Sequence, residues 1–211
     1  MLNAEVLTFQ EFAMNEPLPL SKIQGAVLEF LQGRDDAVLF GAQAVNAYVS
    51  EPRATQDVDI LSTRAKELAE ELREHLSEIF HIAVRVQEVG EGKGIRVYQT
   101  RKEGNRHLVD VRIEKEFPAT QKIEQIQVLT PVELIVSKIL SYQARRGKPK
   151  SGTDWRDIAM LLVRFPDLKI SDGEVAAILS ERKAGDNAIN FWNELIQQDF
   201  SIEDEDNDLS F

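Results

Sequence analysis

The chain has 211 residues, 43% of them hydrophobic and 29% charged, so it is long enough to bury a full core. It contains no cysteine, which excludes disulfides, zinc sites with thiolate ligands and thiol nucleophiles. The formal net charge of −11 argues against nonspecific nucleic-acid binding, which depends on many basic side chains, but it leaves room for a local basic patch.

The two ends of the sequence carry few structural signals. The N-terminal residues lack the basic start and apolar run of a secretory signal, and no stretch approaches the ~18 apolar residues of a membrane span. We therefore expect a cytoplasmic protein. Residues 198–211 have no helical periodicity and predict an acidic, frayed tail, whose acids are Asp199, Glu203, Asp204, Glu205, Asp206 and Asp208.

The first part of the chain alternates between helical and strand patterns. Ser21 is a candidate N-cap of a helix that ends at Gly33, and the apolar residues 37–40 predict a buried strand. A helix of small residues follows at 42–49, then a strand at 56–61. The next helix, 63–80, has an apolar face formed by Leu68, Leu72, Leu76 and Ile79.

Strand patterns dominate the middle of the chain, and helical patterns dominate the rest. Strands are predicted at 82–89, 95–99, 107–113 and 126–128, the first two joined by a glycine-rich turn that lacks the spacing of a phosphate loop. Thr130 and Pro131 predict the start of a helix that ends near Arg146. Three more helices are predicted at 153–165, 172–180 and 186–198, with Trp155 and Trp192 as core anchors.

This order of elements predicts a mixed α/β fold (α+β), in which a β-sheet flanked by helices precedes a C-terminal helical bundle. We expect a catalytic domain at residues 1–128, a helical region at 129–197 and the acidic tail at 198–211.

The most informative motif is the pair Asp57 and Asp59 on the predicted strand 56–61. Residues two apart on a strand point to one face, so these carboxylates project together and their repulsion favours a bound divalent cation. Asp110 interrupts another apolar strand. If the two strands are neighbours, Asp110 completes a three-carboxylate site for Mg²⁺ or Mn²⁺, which suits in-line phosphoryl transfer. An edge-strand acid paired with Arg112 or Arg96 is the alternative for Asp110.

Residues upstream of this pair suit a phosphate group. Gly41 follows a buried strand and, without a β-carbon, allows a close approach of the backbone. Arg53 and Thr55 precede the pair and are candidates for contacts with phosphate oxygens.

Together these residues resemble the nucleotidyltransferase superfamily, and most closely its AbiEii-type, abortive-infection toxin-like branch. The resemblance covers roughly residues 38–162 and rests on Gly41-Ala42, the spaced run from Arg53 through Thr55 and Asp57 to Asp59, and Asp110. It implies transfer of a nucleoside monophosphate from an NTP to an acceptor. The sequence does not show whether that acceptor is an RNA, a protein or a small molecule. It also implies a cognate antitoxin partner. Ala42 departs from the family's usual Gly-Ser or Gly-Gly and supplies no hydroxyl group.

The resemblance continues in the helical part, where Lys138 and the acids Asp154 and Asp157 match residues that line the family's nucleotide cleft. The alternatives are a lysine that extends from a core-facing helix to solvent and two acids that stabilise a helix N-terminus. The histidines His75, His81 and His107 lack metal-ligand spacing, and the sequence assigns them no role.

Two other functions compete with nucleotidyl transfer. One is a catalytically degenerate protein of the same fold that binds a nucleotide or a partner protein, which Ala42 favours. The other is a metal-dependent nuclease that uses Asp110, Glu114 and Lys115, but it leaves Gly41 and the Asp57/Asp59 pair unexplained.

Overall fold

A computed structural model describes residues 18–102 and 104–201 of the chain. The chain divides into two compact units, Met1–Thr130 and Pro131–Phe211, which are described separately below. Of the acidic segment predicted as a tail, residues 202–211 lie outside the described range, and residues 198–201 form neither helix nor strand.

The first unit contains a seven-stranded mixed sheet in the order β3-β4-β5-β2-β1-β7-β6. β2 runs parallel to β5 and β1 runs parallel to β7, while the other neighbours are antiparallel. The predicted fold class, a mixed sheet with flanking helices, is confirmed. The strands are β1 Ala37–Phe40, β2 Val58–Ser62, β3 Val84–Val89, β4 Gly94–Gln99, β5 Arg106–Ile113, β6 Thr120–Ile123 and β7 Ile126–Leu129.

The described part of this unit, residues 18–102 and 104–130, contains three helices: α1 Leu20–Leu31, α2 Gly41–Asn46 and α3 Ala65–Phe80. On α3, Leu68, Leu72 and Leu76 are fully buried, as their spacing predicts. Ile79 was predicted on the same face but is 49% exposed, because it lies in the last turn of the helix. The core of the unit therefore lies between the apolar sides of these helices and the central strands β1, β2 and β5, where the apolar side chains are almost fully buried.

Some predicted boundaries in the first unit are wrong. Ser21 lies inside α1, whose N-cap position is Pro19. β2 begins at Val58 and not at Gln56, so Asp57 lies just before the strand. The sequence analysis also missed β6, which lies at the edge of the sheet and whose mostly polar, incompletely buried residues show no apolar periodicity.

The second unit is helical: α4 Pro131–Ala144, α5 Lys150–Arg164, a 3₁₀ turn at Pro166–Leu168, α6 Glu174–Glu181 and α7 Asp186–Ile196. α4 begins at Pro131 as predicted. α5 begins three residues before the predicted Thr153, because Pro149 already holds helical angles of φ −52° and ψ −35° at its cap. Trp192 is fully buried, but Trp155 is 38% exposed, so its prediction as a core anchor is wrong.

Within residues 18–102 and 104–201, no helix combines the length and apolar character needed to cross a bilayer.

Candidate active site

The carboxylates of the predicted site lie on two adjacent strands in the middle of the sheet. β2 and β5 run parallel, and Asp59 lies directly opposite Asp110 in their register. Partners in register point to the same face of a sheet, so these side chains are neighbours. The apolar residues that flank each acid, such as Val58 and Val109, are fully buried on the other face. The strand arrangement that a three-carboxylate site requires is therefore present.

His107 joins this cluster although the sequence analysis gave it no role. Its Nδ1 lies 3.3 Å from Asp57 Oδ2 and its Nε2 lies 3.0 Å from Asp110 Oδ1. The Nε2 atom is buried and lacks the geometry of a hydrogen bond, so the contact with Asp110 is one of proximity. The imidazole ring thus stands between two of the candidate carboxylates.

A β-bulge explains why His107 faces Asp110. In the β4–β5 ladder, Val97 pairs with Val109 and Tyr98 pairs with His107, so one extra residue, Leu108, is inserted in β5. Strict alternation would place residues 107 and 110 on opposite faces, but a bulge changes which face the following residues occupy. Leu108 and Val109 are both buried, in keeping with this break.

Arg96 neutralises Asp110 from the neighbouring strand β4, where it is the direct partner of that residue. Its Nε and Nη2 lie 3.0 Å and 3.1 Å from the two carboxylate oxygens. Burial raises the pKa of Asp110, but the contacts with His107 and Arg96 outweigh that effect and lower it to about 2. Asp110 is therefore ionised at neutral pH. The alternative of an edge-strand acid is therefore half right: the pair with Arg96 is present, but β5 lies inside the sheet, where Asp110 is opposite Asp59.

Buried amide side chains hold the loop that leads into β2. Asn46 donates to the carbonyl of Arg53 at 2.8 Å and accepts from the amide of Arg53 at 3.1 Å. Gln24 donates to the carbonyl of Thr55 at 3.0 Å, and the Thr55 hydroxyl donates to the carbonyl of Asp57, also at 3.0 Å. The Thr55 hydroxyl thus fixes the backbone of Asp57. The sequence analysis missed Gln24 and Asn46. The only sign of their role in the sequence is that they are polar residues on otherwise apolar helix faces.

Gly41 lies against Asp59. Its φ is +70°, and a β-carbon added there would lie 2.9 Å from Asp59 Cβ and closer still to the carboxylate. Real β-carbons do not approach other atoms so closely. Gly41 therefore makes room for the Asp59 side chain. Ala42 follows in α2, whose N-cap position is Phe40.

The residues predicted from the helical part form a buried ion-pair network of their own within the second unit. Lys138 Nζ lies 2.7 Å from Asp157 and 3.6 Å from Asp154, and Arg145 lies 2.9 Å from Asp154. Lys138, Asp154 and Asp157 are each at least 93% buried. The interpretation of Lys138 as extending to solvent is therefore wrong, because its ammonium group ends between two buried carboxylates.

The donor atoms in the first unit suit a cation. One oxygen each from Asp57 and Asp110 and a ring nitrogen of His107 all lie within 4.8 Å of one another, and these side chains are between 23% and 28% exposed. Such a set can converge on one ion that enters from solvent.

Comparison with known families decides the classification of the chain. Residues 26–209 match the family model described as "Nucleotidyl transferase AbiEii toxin, Type IV TA system". The chain belongs to the AbiEii nucleotidyltransferase family. This match confirms the resemblance expected from its motifs. Among curated proteins, no sequence matches it.

Solved structures agree at the level of the fold. The megavirus polyadenylate synthase superposes with a TM-score of 0.59 at 11% identity, over 74% of this chain and 34% of that one. The chain thus spans about a third of the length of that polyadenylate synthase. A putative nucleotidyltransferase from H. pylori gives a TM-score of 0.54 at 12% identity over 90% and 96% of the two chains. JHP933 from Helicobacter pylori gives 0.52 at 13% identity over 90% and 93%.

Proposed function

We propose that the chain transfers a nucleoside monophosphate from an NTP to an acceptor hydroxyl in a reaction that depends on a divalent cation. The observation that carries this proposal is the pairing of Asp59 with Asp110 on adjacent parallel strands, with Asp57 just before β2. Three carboxylates at one place on the sheet suit Mg²⁺ or Mn²⁺ bound together with the phosphates of a nucleotide. Membership of the AbiEii nucleotidyltransferases supports the same reaction.

The three acids would hold the cation. Bound there, it would neutralise charge on the triphosphate and on the leaving pyrophosphate. Gly41 leaves space for Asp59, and the hydrogen bonds of Gln24 and Thr55 hold the backbone before Asp57. In its present contacts, with a pKa of about 2, Asp110 is a weak base. Its role is to accept a hydrogen bond from the acceptor hydroxyl, and it would take up the proton only after Arg96 moves away.

The nucleotide contacts are also proposals. Gly41 and Ala42 would offer backbone N–H groups to the phosphates, and the Arg53 guanidinium would offer charge. Thr55 contributes through the backbone that its hydroxyl holds. The family pattern adds Lys138, Asp154 and Asp157, for which the buried ion-pair network shows a structural role as well.

The description of the family as a type IV toxin supports a further part of the proposal. We propose that the chain acts in a toxin–antitoxin or phage-defence system and is controlled by a cognate antitoxin protein. The acceptor is an RNA, a protein or a small molecule. The place of action that we propose is the cytoplasm, where NTPs are available.

The test is transfer of label from α-³²P-labelled NTPs, each supplied with Mg²⁺ or Mn²⁺, to cell RNA, cell protein and small-molecule fractions. Asp59→Asn should abolish transfer and pyrophosphate release, whereas Asp35→Asn, at an exposed position of the same unit, should leave both unchanged. Asp59→Asn should remain folded, because removing one carboxylate from the cluster relieves repulsion.

The other outcomes separate the alternatives. Metal-dependent NTP binding without pyrophosphate release, in every fraction tested, would favour the degenerate, non-catalytic protein. Cleavage of nucleic acid in the absence of NTP would favour the nuclease. Glu114 and Lys115, which that alternative uses, follow the end of β5 beyond Asp110.

A further inference from the structure

We infer that His107 is a metal ligand and that it makes the cation site selective for Mn²⁺ over Mg²⁺. This inference rests on the proposed function for the presence of a cation, and it adds the identity of the ion and one further ligand. Within that site, Asp57, His107 and Asp110 form a mixed set of two oxygen donors and one nitrogen donor, next to Asp59.

The position of His107 supports a role as a ligand. Its two ring nitrogens lie 3.3 Å and 3.0 Å from oxygens of Asp57 and Asp110, a spacing that donor atoms around one ion also show. Nε2 is buried, and its 3.0 Å contact with Asp110 lacks good hydrogen-bond geometry. A buried polar nitrogen with a poorly aligned partner destabilises a fold unless it has another use. Coordination of a cation provides that use.

The bulge at Leu108 supports the same conclusion. Without the extra residue, His107 would point to the opposite face of β5 from Asp110. β-Bulges commonly redirect a side chain next to an active site. Here the bulge brings an imidazole to the carboxylates and places two apolar residues in the core.

The donor chemistry predicts the preferred ion. Mg²⁺ is a hard ion that favours oxygen ligands and retains several water molecules. Imidazole nitrogen suits transition metals better than it suits Mg²⁺, and Mn²⁺ is a transition metal that also suits carboxylate oxygen. A site with one imidazole and two carboxylates should therefore bind Mn²⁺ more tightly than Mg²⁺.

The ion pair between Arg96 and Asp110 provides a second test of the proposed metal site. Its guanidinium engages both oxygens of Asp110, one of which also faces His107. A cation at the site competes with Arg96 for that oxygen. Arg96→Gln should therefore increase the affinity for Mn²⁺, in contrast to the loss expected at His107.

The experiment measures binding of the metal ions alone to the full-length protein, by calorimetry and by electron spin resonance of Mn²⁺. His107→Phe removes the donor, and His107→Gln replaces a nitrogen donor with an oxygen donor. We expect His107→Phe to weaken Mn²⁺ binding by roughly 100-fold or more, since loss of a group that only supports a ligand already costs roughly 10- to 100-fold. His107→Gln should reduce the preference for Mn²⁺ over Mg²⁺ by about tenfold.

A control variant and a spectroscopic measurement show whether His107 itself binds the ion. His81→Asn, at an exposed position with φ +51° that asparagine tolerates, should leave metal binding unchanged. Pulsed spin-echo spectra of bound Mn²⁺ should show coupling to imidazole ¹⁴N in the wild type and in His81→Asn. That coupling should be absent in His107→Gln, which retains a polar side chain of similar length.

The outcomes separate this inference from the proposed function. Equal affinities of the wild type for Mn²⁺ and Mg²⁺, or bound Mn²⁺ without ¹⁴N coupling, would overturn the role of His107 even if label transfer proceeds. Mn²⁺ binding that depends on His107 would establish the site even if no acceptor were labelled. In that case the proposed transfer reaction would fail and the metal site would stand.

Discussion

Gly41 and Asp59 are packed so closely that residue 41 has no room for a β-carbon. An added β-carbon would lie 2.9 Å from Asp59 Cβ and closer still to its carboxylate, and the backbone at Gly41 is left-handed, with φ +70°. The glycine that the sequence analysis associated with phosphate binding therefore also determines where a candidate metal ligand lies.

We expect Gly41→Ala to displace Asp59 and to abolish nucleotidyl transfer, with a loss of stability above the ~1–2 kcal/mol that a left-handed alanine costs. Gly33→Ala is the matched control, because Gly33 has a similar φ of +74° but open space around it. Gly33→Ala should lose only the stability that the left-handed backbone of alanine costs, and it should retain activity. Thermal unfolding and the label-transfer assay compare the two, and equal effects would refute the role of the Asp59 contact.

A second prediction concerns Gln24, which donates to Thr55 and accepts from the amide of Gln43 at 3.2 Å. Gln24→Leu should free the loop before Asp57 and weaken binding of Mn²⁺ about tenfold, since groups that support metal ligands have effects of this size. Gln32→Leu, an exposed change next to the same helix, should have no effect. Calorimetric titration of Mn²⁺ into the two variants tests this prediction. An unchanged Mn²⁺ affinity in Gln24→Leu would count against a positioning role for Gln24.

Stability at acidic pH depends on Asp36. Its hydrogen bond with Arg34, aided by Arg64, outweighs burial and lowers its pKa from the ordinary 3.8 to about 2. A lowered pKa stabilises the fold above about pH 4, and this stabilisation is lost as the pH falls from 4 towards 2. Asp36→Asn should therefore lower the free energy of unfolding by about 1 kcal/mol at pH 7 and leave it unchanged near pH 2. The effect at pH 7 is this small because both arginines are partly exposed to solvent.

Urea unfolding at pH 7 and at the lowest pH where the wild type remains folded tests this difference. Asp35→Asn, which removes a neighbouring exposed carboxylate, serves as the control and should show no such dependence. A loss of the same size in Asp36→Asn at both pH values would show that the side chain acts through packing and not through its charge.

The buried network of the helical unit leads to a fourth prediction. Lys138→Met removes the ammonium group that lies 2.7 Å from the buried Asp157, so the free energy of unfolding should fall by about 3–5 kcal/mol. Lys138→Met combined with Asp157→Leu removes both charges and should recover much of that loss, while Arg145 still pairs with Asp154. Chemical unfolding of the single and double variants measures the difference. A single variant as stable as the wild type would show that the network has no structural role.

Several features of the fold could be predicted because they follow from local patterns. The buried strand at 37–40, the face of α3 formed by Leu68, Leu72 and Leu76, and the start of α4 at Pro131 all appear as predicted. Trp155 shows the limit of this reasoning: helical spacing placed it on a helix but did not determine which side of the helix is covered, and it is 38% exposed.

The sequence by itself determined the residue types of the candidate site, which are spaced acids after Gly41 and a third acid on a later strand, and the family to which these motifs belong. Only the tertiary structure decided which groups meet there. His107 reaches Asp110 through an extra residue in β5, Arg96 reaches it across a strand pair, and Gln24 reaches Thr55 from a different helix. Period-two alternation and helical spacing describe each segment alone, whereas a bulge, a strand register and a contact between distant residues depend on the packing of the whole sheet.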